Sequence, residues 1–245
     1  VTTQSAGISP FFGGMTFTWG FSQAPTNVSD TAFRQVALTA WDLLGYGIMS
    51  NQWLQDTGPD GERRLVDMIG RAAAWSADFA FIQGVGADSS MPLGMLNCPA
   101  LISVTRAGAN AIAQADVAKM WRTLIPSSIP RAIWLICPTA VEQLVKITGY
   151  QANTGTTHDA GSAGTIYTRP VFITEKLPAL GTVGDIMLVN PSLYAVGNRQ
   201  EVLIDISGDV PGQFEKNRSV YRVWLRMAGL PQLSKKVRLA DGTTE

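Results

Sequence analysis

A long helix that ends in a glycine-rich turn is encoded in residues 60–96, which read DGERRLVDMIGRAAAWSADFAFIQGVGADSSMPLGML. Apolar residues recur there at alternating intervals of three and four positions, which places them on one face of a helix. They are Leu65, Met68, Ala72, Trp75, Phe79 and Ile82. Asp60 and Glu62 suit the positive end of the helix dipole, and Gly84 supplies a stop signal. The pattern predicts a long helix from Asp60 to Gln83, and a helix of about 22 residues spans roughly 33 Å.

Strands and shorter helices are predicted on both sides of this segment. Met15–Phe21 alternates apolar and polar residues, turn-formers fill Ser22–Asp30, and Ala32–Trp41 is again rich in β-formers, which predicts a long hairpin. Two strands alone are marginally stable in water, so this hairpin requires support from the rest of the chain or from another subunit. The other predicted elements are helices at Asn110–Leu124 and Thr139–Ile147, a flexible surface loop at Gly149–Gly164, and strands at Ala132–Ile136, Thr165–Thr174, Asp185–Asn190, Ala195–Ser207 and Arg218–Met227.

The composition is poor in charge. Charged residues make up 16% of the 245 residues and apolar residues 46%, whereas soluble domains usually contain roughly 25% charged residues. The 19 basic and 19 acidic residues cancel, unlike the strongly basic balance of a dedicated nucleic-acid binder. Because a free monomer with so little charge would be poorly soluble, we expect partners to cover much of the surface.

Membrane and secreted classes are not favoured by the sequence. Asp78 interrupts one apolar run and Pro138 another, so neither reaches the roughly 20 residues of a membrane span. No charged and apolar leader opens the chain, and its start at Val1 suggests a trimmed N-terminus or an arbitrary boundary. Cys98 and Cys137 are isolated and are interpreted as reduced thiols of a cytosolic compartment.

Catalytic motifs are weak. Residues 84–86 follow a predicted helix rather than a strand, unlike a dinucleotide-binding loop. His158 is the sole histidine, so a serine hydrolase would have to combine it with Ser162 in the predicted loop, where no nucleophile elbow occurs. The sequence therefore favours a loop histidine and predicts no cofactor.

Metal ligands and phosphate-binding groups are equally sparse. One histidine and two distant cysteines cannot form the usual zinc site, although a carboxylate-only site stays open. Asp205 and Asp209 are interpreted as solvated charges rather than ligands. The basic residues Lys235, Lys236 and Arg238 are interpreted as a solubilising tail.

Short motifs occur in a fixed order along the chain. The long helix closes on Phe81-Ile82-Gln83-Gly84-Val85-Gly86, and Pro92-Leu93-Gly94-Met95-Leu96 follows. Gly184-Asp185-Ile186 then precedes Tyr194, and the closing segment carries Phe214, Arg218, Arg222 and Arg226. In this order the chain resembles the major capsid protein family of tailed bacteriophages, whose fold is shared with encapsulins and herpesvirus capsid floors. The motif residues that carry the resemblance are Phe81, Gly84, Gly86, Pro92, Leu93, Gly94, Asp185, Tyr194, Phe214 and Arg226.

The resemblance implies an α+β capsid fold built from a peripheral domain, an axial domain and an extended β-hairpin loop. Carried onto this chain, it implies an N-terminal arm remnant at residues 1–12 and the extended loop at 13–46. The peripheral domain would comprise 47–127 and 205–245, and the axial domain 128–204. Some relatives join subunits through an Asn that precedes a Phe; here Gln213 stands before Phe214, so no cross-link is predicted.

The resemblance also implies a function. A major capsid protein assembles into the hexamers and pentamers of an icosahedral shell in the host cytoplasm and encloses double-stranded DNA in the virion. Its partners would be other copies of itself, a portal protein, and in some relatives a maturation protease or a decoration protein. It would catalyse nothing, require no metal or membrane, and contact DNA only weakly.

Two alternatives remain at the level of sequence. An encapsulin-like nanocompartment shares the fold but loads an enzyme cargo, and gene context would separate it from a phage shell. A soluble serine hydrolase would depend on Ser162 and His158, and replacing His158 with alanine would test it.

Overall fold

The computed structural model of the protein describes residues 37–152 and 161–233, which form helices and two β-sheets. The strands are β1 (Trp41–Ser50), β2 (Ile133–Ile136), β3 (Tyr150–Ala152), β4 (Gly164–Ile166), β5 (Arg169–Ile173), β6 (Ile186–Val189), β7 (Tyr194–Ser207) and β8 (Arg218–Pro231). The α-helices are α1 (Asn51–Thr57), α2 (Pro59–Gln83), α3 (Gln114–Thr123) and α4 (Val141–Val145).

The predicted long helix is confirmed as α2, which begins one residue early and ends at Gln83. Its 25 residues extend over about 37 Å. The apolar stripe is buried only towards the C-terminal end, where Ile82 joins the core. Nearer the N-terminus Met68 is 64% exposed, and Trp75 is 45% exposed. Half of an amphipathic face is therefore uncovered in the single chain.

The first sheet has three antiparallel strands in the order β1-β8-β7. Tyr221, Val223 and Leu225 alternate along the central strand β8 and are buried, which defines the inner face of the sheet. The predicted strands at 195–207 and 218–227 are confirmed, and β8 continues to Pro231. Strand β7 pairs with β8 and so lies in the same sheet as β1, whereas the axial domain expected from the sequence includes residues up to 204.

Strand β1 overlaps the end of the segment expected to form the extended loop, of which residues 37–46 are described. It pairs with β8 over its whole length, from Trp41 opposite Met227 to Ser50 opposite Arg218. Residues 41–46 therefore belong to a sheet of this chain. The predicted hairpin strand at Met15–Phe21 lies outside the described residues, as do the arm at 1–12 and the turn at 22–30. The second hairpin strand, predicted at Ala32–Trp41, is not confirmed in its described part, because residues 37–40 are not in a strand and Trp41 begins β1.

The second sheet has five strands in the order β3-β4-β5-β2-β6. Strands β2 and β5 are parallel, and the other pairs are antiparallel. Trp134, Ile136, Ile166 and Val171 are fully buried in its core. The predicted strands at 132–136 and 185–190 are confirmed as β2 and β6.

The prediction of one strand over 165–174 is wrong, because this segment folds as the hairpin β4–β5. Tyr167 and Thr168 occupy the two-residue turn with φ of 48° and 67°. Positive φ at both central residues is the geometry that matches the twist of a tight hairpin. Such a turn usually contains glycine or asparagine at its central positions, and neither residue occurs at positions 167 and 168.

Two helix predictions were too long. Helix α3 begins at Gln114 instead of Asn110, whose φ of 53° lies in the left-handed region. Helix α4 comprises only Val141–Val145 and is preceded by a 3-10 turn at Pro138–Ala140. Within the predicted loop at 149–164, residues 150–152 form β3 and residues 153–160 lie outside the described ranges.

Candidate assembly interface

The end of α2 is packed so closely that only glycine fits at two positions. The Gly84 amide donates to the carbonyl of Ala80 at 2.8 Å and so closes the helix. A β-carbon on Gly84 would collide with the carbonyl oxygens of Ala80 and Pro92. The Gly94 amide donates to the carbonyl of Gly84 at 2.8 Å, and a β-carbon on Gly94 would lie 2.6 Å from the carbonyl oxygen of Ile82. The loop after α2 therefore folds back directly onto the helix end.

The same loop joins the helix end to the three-stranded sheet. The Leu93 amide donates to the carbonyl of Gly229 at 3.3 Å, and the Tyr194 hydroxyl donates to the carbonyl of Leu93 at 2.8 Å. Phe81 meets the Tyr194 ring edge-on with centroids 5.7 Å apart. Burial, and to a lesser extent the nearby Cys98, raise the pKa of Tyr194, so its hydroxyl keeps the proton that it donates. These contacts fix α2 against the start of β7 and the end of β8.

A second cluster centres on the buried carboxylate of Asp185. Its side chain is 2% exposed and accepts from Arg106 Nη2 at 2.8 and 2.7 Å. The amides of Gly181 and Ile186 donate to it at 3.1 and 3.0 Å. Gly184 precedes it with φ of 99°, a value that favours glycine. The ion pair ties the irregular segment before α3 to the edge strand β6.

Asp116 organises the start of α3. Its carboxylate accepts from the Ala107 amide at 3.2 and 3.1 Å and from the Ala113 amide at 3.4 Å, and Lys119 lies 3.5 Å away. Burial of the carboxyl opposes ionisation, but these hydrogen bonds and the Lys119 charge outweigh it and lower the pKa of Asp116 below 3.8. Because the folded state favours the ionised form of Asp116, the carboxylate stabilises the folded state at neutral pH.

Acid is expected to remove this stabilisation. A carboxyl whose pKa is lowered by folding contributes its full stabilisation at pH values above its ordinary pKa, which is 3.8 for Asp116. This stabilisation is lost as the pH falls through the pKa of the folded state. Urea unfolding of the protein and of Asp116→Asn should therefore differ most at neutral pH, and the difference should shrink below about pH 4. An equal difference at all pH values would contradict the role of the charge.

An apolar surface covers the face of the three-stranded sheet opposite its buried side. We call it the outer sheet face and define it by Leu44, Tyr46 and Ile48 of β1, Val220 and Trp224 of β8, and Leu203 of β7. The register places Trp224 between Leu44 and Leu203, and Val220 beside Ile48. Tyr46 is 70% exposed, Ile48 54%, Leu44 52% and Leu203 44%. Three neighbouring strands thus present apolar side chains to the outside of the subunit.

Charged pairs bridge the strands on the same face. Arg222 stands opposite Tyr46 and pairs with Asp205 across β7 and β8. Arg226 Nε lies 2.6 Å from Asp42 Oδ1 across β8 and β1. Because Arg222 and Arg226 are each neutralised by a carboxylate, the part of the face around them carries little net charge and suits contact with another neutral surface.

The motif residues fall into four places. Phe81, Gly84, Gly86, Pro92, Leu93, Gly94 and Tyr194 meet at the end of α2. Asp185 lies in the separate buried cluster, and Arg226 lies on the outer sheet face. Phe214 stands apart between β7 and β8 and is 72% exposed. The first seven residues therefore pack together at the helix end, and Phe214 lies away from them.

The hydrolase alternative receives no support from the described residues. Ser162 precedes β4 and is only 7% exposed. His158, which it would need, lies outside the described residues. Within residues 37–152 and 161–233, no group of three or more histidine, cysteine or acidic residues could hold a metal ion. Over the same ranges no helix is both long and apolar enough to cross a membrane.

Comparison with known proteins establishes the relationship. The family model described as the phage capsid family matches residues 10–242. The chain belongs to the phage capsid family. It is accordingly a capsid shell protein, a structural component of the virion, and the resemblance expected from the motifs is confirmed. No curated protein sequence matches the chain significantly.

Solved capsid structures share the fold. The capsid of the empty GTA particle superposes with a TM-score of 0.68 at 17% identity, covering 88% of this chain and 77% of that one. The structure from Microbacterium phage Oxtober96 gives 0.60 at 14% identity and covers 92% and 77%. That from Mycobacterium phage Adephagia gives 0.59 at 13% identity and covers 90% and 76%. The expected α+β capsid fold is confirmed. With sequence identities of 17%, 14% and 13%, these structures show a likeness of fold alone.

The outer sheet face was missed at the level of sequence. Its clearest signal is the alternation of Leu44, Tyr46 and Ile48, which is typical of a strand with one apolar face. The extended loop expected at 13–46 ends within this alternation and so divides it. Strand pairing with β8 shows that these residues extend the three-stranded sheet.

Proposed function

We propose that this capsid protein is the major shell subunit of a tailed phage, forming hexamers and pentamers of an icosahedral particle around double-stranded DNA. The observation that carries the proposal is the outer sheet face, in which Tyr46, Ile48 and Leu44 are each more than half exposed. Contiguous apolar patches on soluble proteins mark interaction sites. In a shell built from one chain, the surface that covers this face belongs to another copy.

The charge of the chain agrees with a container for DNA. Basic and acidic residues number 19 each, so the wall of such a shell carries little net charge. Packaged DNA brings its own counterions, and tight phosphate binding by the wall would oppose packing. We therefore expect weak DNA contacts, with assembly dominated by contacts between subunits that bury about 1,200–2,000 Å² each.

The division into domains follows from the sheets in this proposal. The peripheral domain would contain α2 and the strands β1, β7 and β8, and the axial domain would contain the five-stranded sheet. The return to the peripheral domain would then fall between Val189 and Tyr194 rather than at residue 204. The segment at 13–40 remains the candidate extended loop towards a neighbouring subunit, and portal, maturation protease and decoration proteins remain candidate partners.

Acidic substitutions on the outer sheet face are expected to block assembly while leaving the subunit folded. Tyr46→Asp combined with Ile48→Asp places two charges where a neighbouring copy would otherwise exclude water. Because both side chains are exposed in the single chain, the free energy of unfolding should change by less than about 1 kcal/mol. Sedimentation velocity and electron microscopy would show subunits without shells.

The matched control keeps the same positions apolar. Tyr46→Phe combined with Ile48→Val preserves the contact surface and should assemble as the unsubstituted protein does. Shells of normal size from the doubly acidic variant would refute the role of this face. Loss of assembly in the conservative variant would point to misfolding instead.

A further inference from the structure

A short turn after β5, residues 174–177, is anchored firmly in the five-stranded sheet. The Thr174 amide donates to the carbonyl of Ile136 at 2.9 Å, which continues the pairing with β2. The Lys176 amide donates to Thr174 Oγ1 at 3.3 Å and closes the turn. Leu177 is buried in the core of this sheet. We call this turn the strap.

The strap reaches across to the last three turns of α2. Glu175 Oε1 accepts from Trp75 Nε1 at 2.7 Å, and Lys176 Nζ lies 2.8 Å from Asp78 Oδ2. The side-chain amide of Gln83 donates to the carbonyl of Lys176. The three helix residues, Trp75, Asp78 and Gln83, are spread over eight residue steps, or about 12 Å along the helix axis. Contacts at both ends of such a length resist rotation and tilt of the helix.

The ion pair between Lys176 and Asp78 is shielded on one side, since Asp78 is 58% exposed but Lys176 is largely covered. The Lys176 side chain is 18% exposed, so its ion pair is screened less by solvent than a fully exposed pair. Trp75 also stacks on Phe79, with parallel rings 5.5 Å apart, which holds its indole in place for Glu175. The residues of the strap and the helix are about 100 positions apart in the chain, so the contact joins two separate parts of the fold.

We propose that Glu175 and Lys176 are positioning residues that set the angle between α2 and the five-stranded sheet, and through it the curvature and size of the shell. This inference rests on the proposed assembly function. Phe81 and Tyr194 fix the same helix to the three-stranded sheet, so a change in the helix angle changes the angle between the two sheets. Identical subunits close into a shell only if each contributes a defined angle.

The test uses the full chain with two side chains of the strap altered. Glu175→Ala combined with Lys176→Met removes the contacts to Trp75 and Asp78 and keeps the one to Gln83. Amide hydrogen exchange over residues 76–83 should become about three- to tenfold faster in the isolated subunit. Cryo-electron microscopy of assembled particles should show a shifted or broadened distribution of diameters.

Arg71→Met is the matched control, because Arg71 forms an ion pair with Asp67 within α2 itself, with N–O 2.9 Å and no bridge to the sheet. It should leave exchange over 76–83 and the particle diameters unchanged. The charge exchange Asp78→Lys with Lys176→Asp keeps an ion pair between the helix and the strap with the two charges reversed. It should therefore give particles of uniform diameter, unlike the variant Glu175→Ala with Lys176→Met. This comparison separates the effect of the strap from a general loss of stability.

The outcomes distinguish the two proposals. Uniform shells of unchanged diameter from the strap variant would overturn the inference while leaving the assembly function intact. Unchanged hydrogen exchange would also overturn it, because the strap would then not restrain the helix. Absence of closed shells from the unsubstituted protein would instead contradict the assembly function.

Discussion

Replacing Gly84 with alanine is expected to lower the free energy of unfolding by about 3 kcal/mol or more, which is the upper part of the range for overpacking substitutions. The backbone at Gly84 has φ of −54° and ψ of 139°, which alanine adopts readily, so conformational strain is not the cause. The cause is space, since the added methyl group meets the backbone carbonyls of Ala80 and Pro92. Backbone atoms cannot rotate away as a side chain can, so the helix end and the returning loop must separate.

Gly70→Ala is the matched control on the same helix. A β-carbon at Gly70 has nothing within 4 Å, and alanine in an exposed helix interior is favoured over glycine by about 0.5–1 kcal/mol. Chemical denaturation of the two variants should give changes of opposite sign. A Gly84→Ala protein as stable as the unsubstituted chain would contradict the close packing described for the end of α2.

Replacing Asp185 with alanine is expected to lower the free energy of unfolding by about 3 kcal/mol. The substitution leaves the Arg106 guanidinium without its carboxylate and the amides of Gly181 and Ile186 without their acceptor. Removing one member of a buried ion pair costs more than the pair contributes, because the remaining charge stays desolvated. The Arg106 side chain is 26% exposed, so it retains some solvent and the effect lies at the lower end of that range.

The double variant Asp185→Ala with Arg106→Met should recover part of the loss, since no charge is then left unpaired. Glu142→Ala supplies a control, because Glu142 pairs with Lys146 on the surface with side chains 81% and 61% exposed. That pair should contribute about 0.5 kcal/mol or less. Equal losses from Asp185→Ala and Glu142→Ala would show that burial of the carboxylate does not matter.

Features that repeat locally were predictable from the sequence. Helix α2 was found because its apolar residues keep a helical period up to a glycine stop. Strand β8 was predictable because Tyr221, Val223 and Leu225 alternate with a second set of residues, which are Val220, Arg222, Trp224 and Arg226. The motif at residues 81–94 identified the family although its physical role was not apparent from sequence, because the role depends on backbone approach between Gly84 and Pro92.

Features that depend on distant partners were not predictable. Arg106 and Asp185 are 79 positions apart, and nothing in either neighbourhood indicates the other. The strap contact between Trp75 and Glu175 spans 100 positions for the same reason. The hairpin β4–β5 was missed because Tyr167 and Thr168 adopt positive φ without the residues that usually signal it. The register of β1 on β8 exposes the outer sheet face, and pairing of this kind is fixed by the whole sheet rather than by one strand.

Assembly of the purified, unsubstituted protein tests the central claim most directly. Cryo-electron microscopy over a range of protein concentrations and ionic strengths is expected to show closed icosahedral shells, with capsomers of five and six subunits and the outer sheet face covered by neighbouring copies. A protein that stays a monodisperse folded monomer under all of these conditions would contradict the account.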